Sequence, residues 1–357
     1  MALRYNDFMK YRMLQWLACP VCRESSFTLE TSKTEIRSVC RGHFEQAEDE
    51  LPGVNLSKLE ETEVLEGALH CGACASIYPI RNGIPRMLPE DAVSGPSTGH
   101  RWTGFDSAVP EWEENFLDYS KPLKSSDFLG KLVMDAGCGF GRHAFFAGRF
   151  GAEVLAVDSS EDAVESANRN TASLNRVHVV QGDLRNPPIR DGICDLVYCY
   201  GVLHHADDPD TILNGLTEIL RQGGQLSLWV YGPRQGATLL INNALRGVTT
   251  GLQPDELLRF SRYTAALLRI FSHTPNRLFG HIPVLSSVVT HLPVHDHHRW
   301  PFDVVVADIY DRLRIPVKQW YTKEDLECWF MDNGYADVQV TRRVRNNETF
   351  RATGYRR

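Results

Sequence analysis

The chain has 357 residues, 43% of them hydrophobic and 23% charged, values ordinary for a globular protein of one large domain or two unequal ones. A formal charge of −7 argues against a general electrostatic grip on nucleic acid; the arginines that gather near the C-terminus (Arg342, Arg343, Arg345, Arg351, Arg356 and Arg357) read as a solvated hairpin and tail. No apolar run reaches the roughly 18 residues of a membrane span, and the opening MALRYNDFMKYRMLQWLACP mixes charges into its aromatics, unlike a signal peptide. Nine cysteines, an odd number with several inside apolar strands, fit a reducing compartment, so a cytoplasmic chain without a membrane partner is expected.

In chain order, the first feature is a pair of cysteine knuckles, Cys19-Pro-Val-Cys22 and Cys71-Gly-Ala-Cys74. Each is a tight turn that aims two thiolates at one tetrahedral ion, and together they supply the four sulfurs of a structural zinc site. The stretch between them, EQAEDELPGVNLSKLEETEVLEG, is acidic and reads as an insertion loop. Cys40 and His43 in CRGH stand at knuckle spacing too and offer an alternative pair of ligands. LACPVC and LHCGACASIYPIRNGIPRMLP resemble the zinc-ribbon family of the small activator subunit of tRNA methyltransferases, over residues 14–23 and 69–89. The resemblance implies zinc on Cys19, Cys22, Cys71 and Cys74, in a ribbon that either clips the N-terminus together or recognises a substrate.

From Leu132 to Tyr231 strand and helix signals alternate. KLVMDA, AEVLAVD, RVHVVQ, CDLVYCY and QLSLWVY are short apolar runs, separated by the helical patterns RHAFFAGRF, EDAVESANRNTA and PDTILNGLTEILRQ. Ser159 and Asp162 have capping-box spacing, and Asp208-Pro209 is a cap followed by proline at the first helical position. Such alternation predicts a parallel sheet with helices on both faces and a ligand at the carboxyl ends of the strands.

The turn after the first of these strands, VMDAGCGFGRH, sets the ligand class. A phosphate loop needs a Lys after its last glycine, and a dinucleotide turn needs a third glycine where Arg142 stands. What remains is D-x-G-x-G-x-G, from Asp135 through Gly137 and Gly139 to Gly141, whose aspartate suits a ligand with an amine or a cation. This pattern resembles the first motif of class I S-adenosylmethionine-dependent methyltransferases of the type 11-like group. The next hundred residues follow that family strand by strand, including GVLHHADDP after the fourth strand and LRQGGQLSLWVYG into the fifth, with Gln222 where proline is usual.

The resemblance implies a Rossmann-like seven-stranded α/β sheet that binds S-adenosyl-L-methionine. Asp158 takes the ribose hydroxyls and Asp183 the adenine amine. Cys138, Ser159, Leu184 and Tyr200 complete the cofactor wall beside the glycine turn, with Trp102 of a "W..F" segment that includes Phe105 closing over it. His204 and His205 are placed at the reacting edge, either as a general base or as residues that order the turn.

Residues 236–300 leave the sheet pattern and read as a helical insertion over the acceptor site, ending in a cluster of His291, His295, His297 and His298 that is either a surface turn or a second metal site. The chain then returns through Asp308 and Tyr310, which the resemblance places near the acceptor, to a helix capped by Thr322 and Asp325 and two last strands. The expected organisation is a ribbon domain at 1–92, a methyltransferase domain at 93–235 and 301–357, and the insertion between them. The expected activity is methyl transfer to a small-molecule acceptor. An RNA acceptor is the second reading, disfavoured by the acidic charge, and a catalytically silent cofactor-fold module is the third.

Overall fold

The structure, a computed structural model, describes residues 9–38, 60–89, 110–233, 245–249, 251–279, 281–282, 300–314, 317–343 and 349–357. The N-terminal part is a long antiparallel hairpin of β2 (Phe27–Ser38) and β3 (Glu60–Cys71), with the short β1 (Met9–Lys10) on the other edge of β3, followed by β4 (Ile77–Arg81) and β5 (Ile84–Met87). The acidic stretch expected as loop is strand from Glu60 onward. Val64 and Leu69 are fully buried, and cross-strand pairing with β2 outweighs the local charge.

The alternating segment folds as read: β6 (Leu132–Ala136), α2 (Arg142–Arg149), β7 (Glu153–Asp158), α3 (Glu161–Thr171), β8 (Val177–Gly182), β9 (Cys194–Tyr200), α4 (Pro209–Ile219) and β10 (Leu220–Tyr231). A helix α1 (Pro110–Ser120) precedes them. The C-terminal part adds α8 (Lys323–Asp332), β11 (Tyr335–Arg343) and β12 (Thr349–Arg356). Between them, α5 (Pro254–Leu268) runs through one π turn into α6 (Thr274–Phe279), and α7 (Phe302–Arg314) packs beside α5.

Among the described residues the strands form one continuous 12-stranded sheet, whose larger part runs β8-β7-β6-β9-β10-β12-β11, seven strands with β12 antiparallel between β10 and β11. Strand order reverses at β6, which pairs in parallel with both β7 and β9, so a crevice opens at the carboxyl ends of these strands. β9 is buried along almost its whole length, as a central parallel strand must be, and this explains its unbroken apolar run. Cys194 and Cys199 serve there as small buried hydrophobes.

The ribbon is not a separate bead. β5 adds a parallel strand to the edge of β8, pairing Arg86 with Gln181 and Met87 with Gly182, so the expected boundary at residue 92 follows a strand common to both parts. Of the expected caps, Asp208 accepts from Thr211 N–H at 3.1 Å and Thr322 forms its box with Asp325. The cap of α3 lies one residue later than expected: Ser160 Oγ accepts from Ala163 N–H, while Ser159 is left in the wall of the crevice. Among the described residues no helix is long and apolar enough to cross a membrane.

Candidate cofactor cleft and metal centre

The two knuckles repeat one backbone solution. Cys19 N–H donates to Glu24 C=O at 2.8 Å and Cys71 N–H to Ser76 C=O at 2.9 Å, each spanning five residues. In each, the residue four past the first cysteine is left-handed, Arg23 at φ 64° and Ala75 at φ 59°. The turns bring the sulfurs of Cys19, Cys22, Cys71 and Cys74 within 4.8 Å of one another, with Cys19–Cys74 and Cys22–Cys71 at 3.6 Å. A zinc tetrahedron with bonds of about 2.3 Å has sulfur–sulfur edges of roughly 3.8 Å, so the four residues fit that ion. Tyr78 Oη lies 3.1 Å from Cys19 Sγ and Ser76 Oγ 3.2 Å from Cys74 Sγ, two hydroxyls placed to donate to thiolates. Cys40 and His43 lie outside the described residues, as does the cluster from His291 to His298.

The same knuckle grips the larger domain. Arg23 Nη1 donates to Asn186 Oδ1 at 2.9 Å and to Pro187 C=O at 2.6 Å, and its Nη2 donates to Ile189 C=O at 2.7 Å. Ala18 N–H donates to Pro188 C=O at 3.1 Å, and Arg190 N–H to Trp16 C=O at 2.9 Å. The segment so held begins just after Asp183.

At the switch point lies a cavity of about 410 Å³. Gly137, Cys138, Gly139, Asp158, Ser159, Asp183, Leu184, Tyr200, His204 and His205 all line it. Three glycines at positive φ shape the turn for different reasons; Gly137 and Gly139 line the cavity, whereas Gly141 does not. A Cβ on Gly137 would lie 2.4 Å from Val202 Cγ2, and one on Gly141 would lie 2.9 Å from Ala167 Cα, so both positions are closed by the protein itself. A Cβ on Gly139 would meet nothing within 4 Å among the described residues, so of the three this glycine presents bare backbone to open space.

Asp158 holds the turn in place: Gly139 N–H donates to its Oδ2 and Ser160 N–H to its Oδ1, each at 2.9 Å. Each oxygen keeps a second lone pair for a ligand hydroxyl. Burial raises its carboxyl above the ordinary value. Asp183 is clamped by Arg185, with Nε 2.9 Å from Oδ2, so any ligand amine shares that carboxylate with a guanidinium.

Asp135 sits behind the floor, 1% exposed and not in the cavity wall; its Oδ2 has no hydrogen-bond partner among the described residues. Burial pushes its carboxyl up to about 7. Between an unfolded value near 3.9 and that value the folded chain holds a proton the unfolded chain has lost, so stability falls as pH rises through this window. Asp135→Asn is expected to remove that slope and to stabilise the chain by a few kcal/mol above pH ~7, with little gain near pH ~4. Urea unfolding across this range reads the difference; an equal effect at both ends would mean that Asp135 is ionised throughout.

The two histidines part company. His204 is buried, its ring 4.0 Å from that of Tyr231, whose N–H donates to His204 Nδ1 at 3.4 Å. Its carbonyl accepts from Lys318 N–H at 2.8 Å, so it pins the returning chain. His205 is half-buried in the cavity wall, the better placed of the two to meet an acceptor. Asp308 also lines the cavity, whereas Tyr310 is fully buried among Leu257, Ala265 and Ile309 and does not. Trp102 and Phe105 lie outside the described residues.

An aromatic wall was not foreseen. Trp112 and Tyr119 of α1, Trp229 and Tyr231 of β10, and Phe140 line the cavity, with Tyr231 and Trp229 packed beside His204. Tyr119 stacks on Trp229 at 4.3 Å and 6°, and the Arg142 guanidinium lies 4.7 Å over Trp112. His143 joins them, stacked on Phe116, with burial holding it neutral, well below the usual imidazole value. Its Nε2 and Trp229 Nε1 have no hydrogen-bond partner among the described residues. The spacing of Trp112, Phe116 and Tyr119 places all three on one face of a helix, a signal for a buried face but not for the cavity it borders. An open glycine, two carboxylates on adjoining strands and buried polar atoms along an aromatic wall fit a nucleoside-bearing ligand such as S-adenosylmethionine.

Comparison with known proteins agrees with this arrangement. Residues 134–228 match the family described as methyltransferase domain, and residues 10–83 match the Trm112p-like protein family. The mitochondrial ubiquinone biosynthesis O-methyltransferase of Schizosaccharomyces pombe is 35% identical over 177 residues, covering 44% of this chain and 64% of that one. A malonyl-[acyl-carrier protein] O-methyltransferase of Xylella fastidiosa is 28% identical over 117 residues, covering 31% and 40%. The chain thus spans less than two thirds of the length of these relatives. Among solved structures, magnesium protoporphyrin IX methyltransferase of Synechocystis PCC 6803 with bound SAH aligns at a TM-score of 0.41 and 17% identity over 69% of this chain and 82% of that one.

Proposed function

We propose that this chain, a Trm112p-like ribbon joined to a methyltransferase domain, transfers the methyl group of S-adenosylmethionine to a hydroxyl of a small, flat, largely apolar acceptor, and that its four knuckle cysteines hold a structural zinc ion. The observation that carries the reading is the open backbone of Gly139 at the switch point, flanked by Asp158 and Asp183 and faced by the aromatic wall. When bound, the cofactor supplies an already activated sulfonium methyl. The chain's own residues then have three tasks. Gly139 and Asp158 seat the nucleoside. Trp112, Tyr119 and Trp229 exclude water and align the acceptor. His205 takes the hydroxyl proton, since an alcohol or phenol holds it tightly where an amine does not.

The enclosed aromatic lining supports a small molecule over RNA, as does the −7 charge. The O-methyltransferases among the relatives agree with an oxygen acceptor. A panel of phenols and alcohols with labelled cofactor tests this. With the best acceptor, His205→Ala is expected to lower turnover roughly 100-fold or more while cofactor affinity stays nearly unchanged. A drop that merely tracks lost cofactor binding would leave His205 a residue of the turn.

A further inference from the structure

The outer face of α5 and α6 has a composition unlike the rest of the molecule. On the inner face Leu257, Ser261, Ala265 and Ser272 recur at helical spacing, all buried, and the helix packs there against α7. On the opposite face Tyr263, Leu267, Ile270, Phe271, Leu278 and Phe279 follow the same spacing, and all are exposed, from 42% for Phe279 to 72% for Tyr263. Six large apolar side chains along one continuous helical stripe are more than the scattered exposure normal for a monomer surface.

The charge around the stripe points to what covers it. The chain as a whole carries 45 acidic against 38 basic residues, yet residues 257–282 contain Arg259, Arg262, Arg269 and Arg277 and not one Asp or Glu. All four arginines are exposed. A cationic helical stretch with an apolar stripe, its two carboxylates Asp255 and Glu256 confined to the first turn of α5, matches the interface of an anionic bilayer, where the stripe sinks into the boundary between headgroups and acyl chains and the guanidinium groups meet phosphates. Nucleic acid would use the charges and leave the leucines and isoleucine in water.

We propose that α5 and α6 form a monotopic docking surface for anionic lipid membranes, lying in the interface plane without crossing it. The surface is independent of the chemistry in the cleft, although α7, which backs it, lines the cavity with Val304 and Asp308.

Flotation of the full chain with vesicles of phosphatidylcholine alone, and of phosphatidylcholine mixed with phosphatidylglycerol, tests the proposal. Binding to the mixed vesicles is expected, weaker to the neutral ones, and reduced by added salt. Arg259→Gln, Arg262→Gln and Arg277→Gln together are expected to weaken partition on the order of 100-fold, at about 1 kcal/mol per cation. Leu267→Ser, Phe271→Ser and Leu278→Ser together are expected to abolish it, with circular dichroism and thermal melting showing that the fold stands; should that triple variant not fold, the arginine variant decides. Failure of the wild-type chain to float with the anionic vesicles would overturn the proposal, as would equal flotation of the arginine variant. So would a dimer in light scattering that dissociates on Phe271→Ser, or binding to an RNA mixture without partition to vesicles.

Discussion

Cys71→Ser is expected to release one zinc per chain and to loosen both halves of the molecule. Cys71 and Cys19 are buried at the centre of the ribbon, and a structural zinc site contributes on the order of 10 kcal/mol or more to a small module. The loss should also reach the cleft. Arg23, fixed by the first knuckle, holds the carbonyls of Pro187 and Ile189, and Asn186 N–H closes on the Asp183 carbonyl at 3.2 Å. Chelation is therefore expected to weaken nucleoside binding as well as to lower the melting temperature. Elemental analysis and calorimetry on the same sample read both effects. Cys40→Ser should keep its zinc; loss of metal there, with retention in Cys71→Ser, would move the site to the CRGH pair.

The second large effect separates the three glycines of the turn. Gly137→Ala and Gly141→Ala each press a Cβ into Val202 or into the backbone of Ala167, at a φ that L-residues avoid. Overpacking and the left-handed penalty together are expected to cost roughly 2–5 kcal/mol of stability. Gly139→Asn meets no neighbour among the described residues, and asparagine tolerates φ +54° better than other side chains do. It should fold nearly as well as the parent, yet lose cofactor affinity by about 100-fold or more, because its side chain fills the space against which a ligand would lie. Thermal melts with parallel binding titrations give the comparison; a Gly139→Asn protein that binds normally would show that the ligand does not approach this backbone.

Much of this architecture was legible because its signals are local. The apolar runs ending at Asp135 and Asp158, the cap at Asp208 and the box at Thr322 each declare themselves within a few residues, and each stands where expected. What escaped reading depends on pairing at a distance. Glu60 to Gly67 look like loop until β2 lies beside them, and β5 shows no sign in its four residues that it will extend the edge of β8. The aromatic wall was hidden for another reason. Trp112 and Tyr119 have the spacing of any core helix, and Trp229 and Tyr231 the alternation of any strand, so only the folded chain shows that they face one cavity. Tyr310 carries the opposite lesson: proximity along the chain to Asp308 did not bring it to the cleft, since the helical period turns it into the core of α5 and α7.

The central claim is that S-adenosylmethionine binds in the cleft between Gly139, Asp158 and Asp183. Isothermal titration of the full chain with that compound tests it most directly, run beside Asp158→Ala. The expected result is saturable binding of one molecule per chain, displaced by S-adenosylhomocysteine and weakened by about 1.5 kcal/mol or more in the variant, which loses a charged acceptor for ligand hydroxyls and the anchor of the Gly139 turn. No saturable heat with the folded parent chain, or an affinity that Asp158→Ala leaves unchanged, would contradict it.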